Sequence, residues 1–294
     1  MPSLFCFGLG YSASSYVTEF GAKFDRVGGT VRTREKAAAI AAAGIGGHKV
    51  EAFVFDGEAA PEASAAVMDA SAVLLSVPPG ENGDPVLAHF ADMLRAAPYL
   101  RTIVYLSTVG VYGDHEGAWV DEETPAAPVS PRSRERLEAE QAWTALGARA
   151  GKAVALLRLS GIYGPGQNAL VQVRRGNARR IDKPGQVFNR IHVSDIAQAI
   201  DAAFARRAEG VFNVTDDEPT PQGVPIVLAA ELLGVPPPPE VPFAEAAKAM
   251  TPMGLSFYGE SKRVRNARLK HELGVALRYP TYREGLRALL DRGI

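Results

Sequence analysis

The sequence is poor in the features that mark several classes of protein. Its 294 residues include one cysteine, Cys6, which excludes an intrachain disulfide and a cysteine-based zinc site. Cys6 lies in the first apolar run, where we expect a small buried hydrophobe. The five histidines show no metal-ligand spacing, so the sequence predicts no metal site.

Neither sign of charge is in excess, and long apolar runs are missing. Lysine and arginine number 32 against 33 aspartates and glutamates, and this balance gives no electrostatic basis for binding nucleic acid or an anionic membrane. No apolar run approaches the roughly 18 residues that span a bilayer. The N-terminal MPSLFCFGLG lacks a basic n-region and a small-residue cleavage site, so we expect no signal peptide and a cytoplasmic protein. The GxSxG, P-loop and HExxH motifs are also missing.

The sequence is organised around residues 102–113, TIVYLSTVGVYG. The run at 102–106 is typical of a buried parallel strand, and Ser107 and Thr108 place two hydroxyls where that strand should end. Ligands of open α/β sheets bind beyond the carboxyl ends of the strands, so these hydroxyls are candidates for substrate chemistry. The alternative is a strand followed by an ordinary turn rich in serine and threonine.

Strand-like and helix-like segments alternate before this stretch. Strands are predicted at 4–7, 24–31, 49–55, 72–77 and 102–106, and helices at 33–43, 59–70 and 84–97. Five such alternating units predict an α/β fold with a doubly wound parallel (Rossmann) sheet.

A dinucleotide fingerprint follows the first strand. The segment Gly8-Leu9-Gly10-Tyr11-Ser12-Ala13 reads GxGxxA. Gly8 allows a tight turn, Gly10 lets the backbone approach a pyrophosphate, and Ala13 lets the helix that opens at Tyr11 and Ser12 pack on the strand. We expect the amides of that helix start to face the phosphates. The alternative is an ordinary strand-to-helix turn.

The end of the second strand favours NADP over NAD as the cofactor. NAD-binding folds usually carry Asp or Glu about 20 residues after the glycines, but Thr30 and Arg32 stand here. Arginine can bind a 2′-phosphate that a carboxylate would repel. Alternatively, Arg32 and Arg34 merely decorate a helix start. Further along, we expect Asp56 to bind the adenine amino group or to form an Asx turn. The strand end at Ser76 and the stiff loop at Pro78 should border the ribose and nicotinamide.

Several segments together resemble the extended branch of the short-chain dehydrogenase/reductase superfamily, which includes nucleotide-sugar epimerases and dehydratases. They are GxGxxA, STVGVYG at 107–113, LRLSGIYGPG at 157–166, NRIHVSDIA at 189–197 and VFNV at 211–214. In that family, a Ser or Thr at the position of Thr108 binds the reacting oxygen of the substrate. A tyrosine there acts as acid and base, and a lysine four residues later holds the nicotinamide ribose.

This sequence departs from the family at the tyrosine and the lysine. The helix predicted at 132–149 carries Arg132 and Arg136 in their places. Arg136 can replace the lysine as a cation, but Arg132 cannot replace a phenol because guanidinium keeps its proton at physiological pH. Tyr258 and Lys262 repeat the spacing after the last sheet strand, and we interpret that match as coincidental. The combination most resembles the atypical subgroup that includes the YeeZ-like bacterial proteins. Tyr112 and Tyr163 are other phenols near the predicted site.

The resemblance also predicts the domain organisation. We expect a dinucleotide-binding domain at 1–166, completed by about 189–217, and a smaller substrate-binding lobe at 167–188 and 218–294. Arginines at 174, 175, 179 and 180 either recognise a phosphate or carboxylate of the substrate or lie on a solvated loop. His192 and Asp195 form either a catalytic pair or, as we favour, a structural one. A homodimer through the helix at 132–149 and the one before it is also implied.

We therefore expect an NADP-preferring protein that resembles an extended short-chain oxidoreductase, epimerase or dehydratase. Its substrate would be a small molecule, with phosphorylated compounds and nucleotide-sugars as candidates. The alternative is a non-catalytic NAD(P)-binding sensor or scaffold, which the replacement of the tyrosine by Arg132 favours.

Overall fold

The computed structural model describes residues 2–293. The strands in chain order are β1 (Ser3–Phe7), β2 (Arg26–Val31), β3 (Glu51–Val54), β4 (Ala72–Leu75), β5 (Thr102–Thr108), β6 (Trp119–Val120), β7 (Ala153–Leu159), β8 (Gly161–Tyr163), β9 (Arg180–Asp182), β10 (Arg190–His192), β11 (Gly210–Val214), β12 (Glu240–Pro242) and β13 (Arg263–Val264). The α-helices are α1 (Tyr11–Phe20), α2 (Arg34–Ala43), α3 (Ser64–Met68), α4 (Pro85–Ala96), α5 (Pro131–Ala150), α6 (Ala169–Arg174), α7 (Val193–Arg206), α8 (Gly223–Leu232), α9 (Phe243–Ala246), α10 (Pro252–Ser256), α11 (Ala267–His271) and α12 (Tyr282–Asp291).

A parallel sheet of seven strands forms the centre, in the order β11-β7-β5-β4-β1-β2-β3. The chain winds outward from β1 through β2 to β3, then returns to the other side of β1 with β4. The switch point therefore lies between β1 and β4, where α/β sheets of this kind bind dinucleotides beyond the strand ends. The predicted doubly wound Rossmann sheet is confirmed.

The strands alternate their side chains between two buried layers. Leu4 and Cys6 of β1 face a core that includes residues of α1 and α7, whereas Phe5 and Phe7 face a core that includes α3, α4 and Trp143 of α5. This alternation is the period of two that a pleated strand imposes. Burial on both faces explains why β1 and β4 are almost entirely apolar. Cys6 is fully buried, as predicted.

Most predicted elements differ from the structure only at their ends, and two of the differences have a clear physical cause. The helix predicted at 59–70 is shorter, because Pro61–Ala63 form a 3₁₀ turn before α3. Ser107 and Thr108 belong to β5 rather than to the turn after it, because both pair in register with β7. The strand therefore carries both hydroxyls on opposite sides of its end, and this separates their roles.

A smaller region packs beside the sheet. Its core joins α6, α8 and α12 through buried residues such as Leu170, Ala229 and Leu286. Short parallel pairs β8–β10 and β9–β12 extend from it, and β6 pairs with β13. The division into a dinucleotide domain and a substrate lobe remains a prediction. Across residues 2–293, each helix is too short or too polar to cross a bilayer.

Candidate functional site

The turn after β1 is fixed by the strand beside it. Gly8 adopts a φ of +92°, and a Cβ there would lie 3.2 Å from Cγ2 of Val77. The Gly8 amide donates to Oγ1 of Thr30 at 2.9 Å, and the Leu9 amide donates to the Thr30 carbonyl at 2.7 Å. Thr30 is buried, so its hydroxyl shapes the glycine turn from behind.

Helix α1 begins with amides that no side chain caps. Gly10 occupies the N-cap position, and the first helical hydrogen bond runs from the Ser14 amide to the Gly10 carbonyl at 2.8 Å. The amides before Ser14 and the helix dipole therefore favour an anion at this end. The Ser12 and Ala13 side chains are buried, while the Tyr11 hydroxyl donates to the Pro165 carbonyl at 2.9 Å.

These features open into one cleft of about 430 Å³. Seven of the ten predicted cofactor residues line it: Gly8, Gly10, Thr30, Arg32, Asp56, Ser76 and Pro78. The other three, Tyr11, Ser12 and Ala13, stand at the start of α1 beside it. The structure thus brings the ten residues together at the switch point.

Two cations line the β2 end of this cleft. Arg32 is exposed, and Lys36 stands one helical turn into α2 on the same wall. Thr33 caps α2 by accepting from the Lys36 amide at 3.3 Å. This cap fixes the start of the helix and with it the position of Lys36. Arg34, which lies between Arg32 and Lys36 in the sequence, is not among the lining residues.

Asp56 forms the predicted Asx turn, and its contact with the adenine stays a prediction. Its Oδ1 accepts from the Glu58 amide at 3.3 Å, which is an Asx turn, and the residue also lines the cleft. The turn occupies one carboxylate oxygen and leaves the other able to accept.

Thr108 ends β5 and caps the turn that follows. Its Oγ1 accepts from the Gly110 amide at 3.1 Å at the start of the 3₁₀ turn Val109–Tyr112. A Cβ on Gly110 would lie 3.0 Å from Oγ of Ser133, so the first turn of α5 packs directly on this loop. Thr108 is half-buried, and its hydroxyl hydrogen is free to be donated to a substrate oxygen.

The two arginines of α5 have different surroundings. Nη1 of Arg136 donates to the Leu106 carbonyl at 2.9 Å and to the Tyr105 hydroxyl at 3.1 Å. Arg136 is therefore directed at the β5 backbone. Arg132 is exposed, and its guanidinium carbon lies 5.3 Å from the ring centroid of Phe257.

A buried polar network beneath the site was missed by sequence reasoning. Glu140 of α5 and Arg158 of β7 form an ion pair at 2.7 Å, and Ser107 donates its hydroxyl to the same carboxylate. The Arg158 guanidinium lies 4.7 Å from the ring centroid of Tyr112, whose hydroxyl donates to Oδ1 of Asn213 at 2.8 Å. An arginine inside the apolar run 153–159 was the available signal, because such a charge needs a buried partner.

The phenols near the site are poorly placed to act as acids. Tyr112 is fully buried, its hydroxyl is used within the network, and burial raises its pKa. Burial likewise raises the pKa of Tyr163, whose hydroxyl points to the Thr281 carbonyl at 3.4 Å. A phenol with a raised pKa gives up its proton less readily near neutral pH.

The Tyr258–Lys262 match does not lie on a helix. Tyr258 is in the turn after α10, with its ring 5.2 Å from that of Phe188 and 5.0 Å from that of Phe243. Lys262 is buried, donates to the Gly113 carbonyl at 2.7 Å and pairs with Glu260 at 3.2 Å. The helical geometry of the motif is thus missing, but the segment returns to the loop after Thr108.

His192 and Asp195 both bind backbone rather than each other. Nδ1 of His192 accepts from the Ser194 amide at 3.1 Å and caps α7, and burial lowers its pKa to about 4. Asp195 accepts from the Arg278 and Tyr279 amides at 2.6 and 3.1 Å. These bonds hold the C-terminal segment against α7, which is the structural role. Within residues 2–293, no cluster of three His, Cys, Asp or Glu side chains is placed to hold a metal ion.

A second cavity of about 570 Å³ lies in the smaller region. Arg175 and Arg190 line it, together with amide side chains such as Asn168 and Gln172. Arg190 donates to Thr220 Oγ1 at 2.8 Å and to neighbouring carbonyls, all of them neutral acceptors. Of the four arginines at 174, 175, 179 and 180, Arg180 is paired with Glu240 at 2.7 Å, and only Arg175 lines the cavity.

Comparisons with known proteins agree with this architecture. Residues 86–215 match the NAD dependent epimerase/dehydratase family. A 3-diazoavenalumate denitrifying reductase from a Streptomyces species is 27% identical over 284 residues, covering 82% of this chain and 91% of the reductase. Protein YeeZ of Escherichia coli K12 is 28% identical over 222 residues, covering 73% of this chain and 74% of YeeZ. The solved structure of a functionally unknown conserved protein from Silicibacter pomeroyi is 46% identical, with a TM-score of 0.88 and 99% of both chains covered.

Proposed function

We propose that the chain, which belongs to the NAD-dependent epimerase/dehydratase family, is an NADP-dependent oxidoreductase acting on a small molecule. Within that family it resembles YeeZ and the extended short-chain group. The observation that carries the proposal is the cleft that joins the glycine turn to Arg32 and Lys36. Thr108 stands at the end of β5, one strand beyond Ser76. The homodimer and the cytoplasmic location remain predictions from the sequence.

The residues of the cleft fit a dinucleotide phosphate. The uncapped amides of α1 would hold the pyrophosphate, and Arg32 with Lys36 would hold the 2′-phosphate. Asp56 would accept from the adenine, and Ser76 and Pro78 would border the ribose and nicotinamide. When bound, the cofactor supplies or accepts a hydride. A Cβ at Gly8 would lie against Val77, so only glycine allows the turn to pass this close to the next strand end. A tight glycine turn of this kind is expected beside the phosphates.

Arg32→Ala is expected to weaken NADPH binding about tenfold or more while changing NADH affinity little, because the 2′-phosphate is the only group that distinguishes the two. The wild type should bind NADPH more tightly than NADH in a fluorescence titration. Arg34→Ala is the matched control, because Arg34 is a nearby arginine that does not line the cleft. Equal wild-type affinities for NADPH and NADH would contradict the role of Arg32.

The substrate site that we propose runs from Thr108 to the 570 Å³ cavity. Thr108 would donate to the substrate oxygen nearest the reacting carbon, and Arg175 and Arg190 would favour an anionic tail. Phosphorylated compounds and nucleotide-sugars have that character. Arg190 is a partly buried cation whose hydrogen-bond acceptors are neutral, and burial lowers its pKa against the opposing charges of Asp216 and Glu218.

The missing phenol favours a hydride acceptor that needs no proton from the protein. Arg132 cannot donate one, and Tyr112 and Tyr163 are used or buried. The name of the Streptomyces relative states that it reduces a diazo compound with loss of nitrogen. For a diazonium carbon, a C–H bond forms as the C–N bond breaks and the electron pair leaves with N₂, so the balance needs hydride but no proton. We propose that class of acceptor for this chain.

The wild type is expected to consume NADPH with 4-diazoniobenzoate, releasing N₂, but not with a panel of aldehydes and ketones. Arg132→Tyr with Arg136→Lys restores the usual pair and should gain carbonyl reduction. Rates are followed by NADPH absorbance, with the Gly10→Asp variant as the background for non-enzymatic reduction.

Binding of NADPH without turnover of any of these compounds would instead support the non-catalytic sensor or scaffold. In that case a gain of carbonyl reduction in the double variant would show that only the acid and its cation are missing.

A further inference from the structure

The position of the family's tyrosine is occupied by a cation in the first turn of α5. Ser130 caps α5 by accepting from the Ser133 amide at 3.2 Å, and Ser133 faces Gly110 in the loop after Thr108. Arg132 therefore stands one residue from the contact between α5 and that loop. Its side chain is exposed and therefore lies outside the core.

Arg132 has an aromatic contact and no salt bridge, although its charge acts on the carboxylate of Glu260. None of the ion pairs or side-chain hydrogen bonds among residues 2–293 involves it. Its guanidinium carbon lies 5.3 Å from the ring centroid of Phe257, in the segment that returns over the site. Stacking on a ring restricts the orientation of the group and leaves its N–H edge available.

Nearby acidic groups are already neutralised or bonded. Glu260 pairs with Lys262 at 3.2 Å, and Asp114 accepts from the Ser261 amide at 2.7 Å. Of the other arginines at this end of α5, Arg136 is bound to the Leu106 carbonyl, and Arg134 donates to the Val129 carbonyl at 3.0 Å. Arg132 is thus the cation of this turn whose donors remain for a ligand.

We infer that Arg132 is a specificity-determining residue whose guanidinium binds an anionic oxygen group of the substrate, a carboxylate or a phosphate, beside Thr108. The inference rests on the proposed function for its substrate. A planar fork of donors held on Phe257 suits a bidentate contact with either group. The position that holds the acid/base tyrosine in the family would then bind an anionic substrate and orient it against the loop after Thr108.

The test compares benzoate, phenyl phosphate and uncharged benzamide as probes of the full chain, with and without NADPH, by calorimetry and ligand-observed NMR. The wild type should bind benzoate or phenyl phosphate, whichever carries the fitting anion, and should bind benzamide at least about tenfold more weakly. Arg132→Gln should lose about tenfold or more of that anion affinity, and Arg132→Lys should lose less. Arg134→Gln, an exposed arginine two residues on, is the matched control and should bind as the wild type does.

Benzoate and phenyl phosphate binding to Arg132→Gln with wild-type affinity would overturn the inference, as would equal affinity of the wild type for benzamide. NADPH affinity is measured on the same samples. Loss of anion binding in Arg132→Gln with no NADPH binding by any variant would keep the anion site and reject the proposed function. Normal NADPH binding with no anion binding would do the reverse.

Discussion

Gly10→Asp is expected to abolish NADPH binding, by about 100-fold or more, without unfolding the protein. The new carboxylate would stand at the uncapped start of α1, where the pyrophosphate is expected, and would both fill that space and repel the phosphates. The backbone tolerates the change, because φ at Gly10 is −88° and the nearest atom to a Cβ is Oγ of Ser76 at 3.9 Å. Cofactor loss would then report on the cleft alone.

The same substitution should leave stability unchanged or slightly raised. Aspartate is a favoured N-cap residue, and its carboxylate can accept from the free amides of α1, an effect of about 1 kcal/mol. Gly10→Asn is the matched control, since it has the same shape and no charge. It should bind NADPH between the wild type and Gly10→Asp. Thermal melts and NADPH fluorescence titrations check both results, and wild-type affinity in Gly10→Asp would place the cofactor elsewhere.

Glu140→Ala is expected to lower the free energy of unfolding by about 3–5 kcal/mol, because it leaves the Arg158 charge buried without a counter-ion. Both side chains are buried, and three N–O contacts between 2.7 and 3.3 Å join them. Ser107 would also lose the acceptor of its hydroxyl hydrogen. Urea unfolding measures the change.

The controls separate the buried charge from general damage to α5. Glu138→Ala, on the exposed side of the same helix, should change the free energy of unfolding by less than about 0.5 kcal/mol. Replacing both members, as in Glu140→Leu with Arg158→Met, should recover most of the loss, because no unpaired charge remains. A loss below about 1 kcal/mol for Glu140→Ala would mean that water or rearrangement already solvates Arg158.

The sheet and its cofactor edge could be predicted from the sequence because both depend on local pattern. Apolar runs with helical segments between them fix a doubly wound sheet, and GxGxxA must then lie at the first strand end. The separate roles of Ser107 and Thr108 could not be predicted, since they depend on where β5 ends relative to β7. Because Ser107 and Thr108 both pair with β7, their side chains alternate. The Ser107 hydroxyl donates to Glu140, and the Thr108 hydroxyl accepts from the amide of Gly110 in the loop.

Contacts between residues far apart in the sequence could not be predicted from local sequence patterns. Glu140 and Arg158 meet because α5 packs on β7, and neither the helix period nor the strand run names its partner. Arg132 and Arg136 look equivalent in the sequence, yet one binds the Leu106 carbonyl and the other stacks on Phe257. The match at Tyr258 and Lys262 is interpreted as coincidental because it follows the last sheet strand, and that reasoning gives no sign that Lys262 reaches Gly113.

The pairing of β6 with β13 has a consequence for the order in which the site is built. Trp119 and Val120 cannot pair until Arg263 and Val264 have been synthesised. The Gly113 carbonyl likewise accepts its hydrogen bond only once Lys262 is present. During synthesis the glycine turn, β1 and β2 leave the ribosome first and can form locally. The loop after Thr108 gains its contacts with residues 262–264 only later, because such distant contacts close slowly. A nascent chain would thus acquire its nucleotide cleft before its substrate loop is fixed.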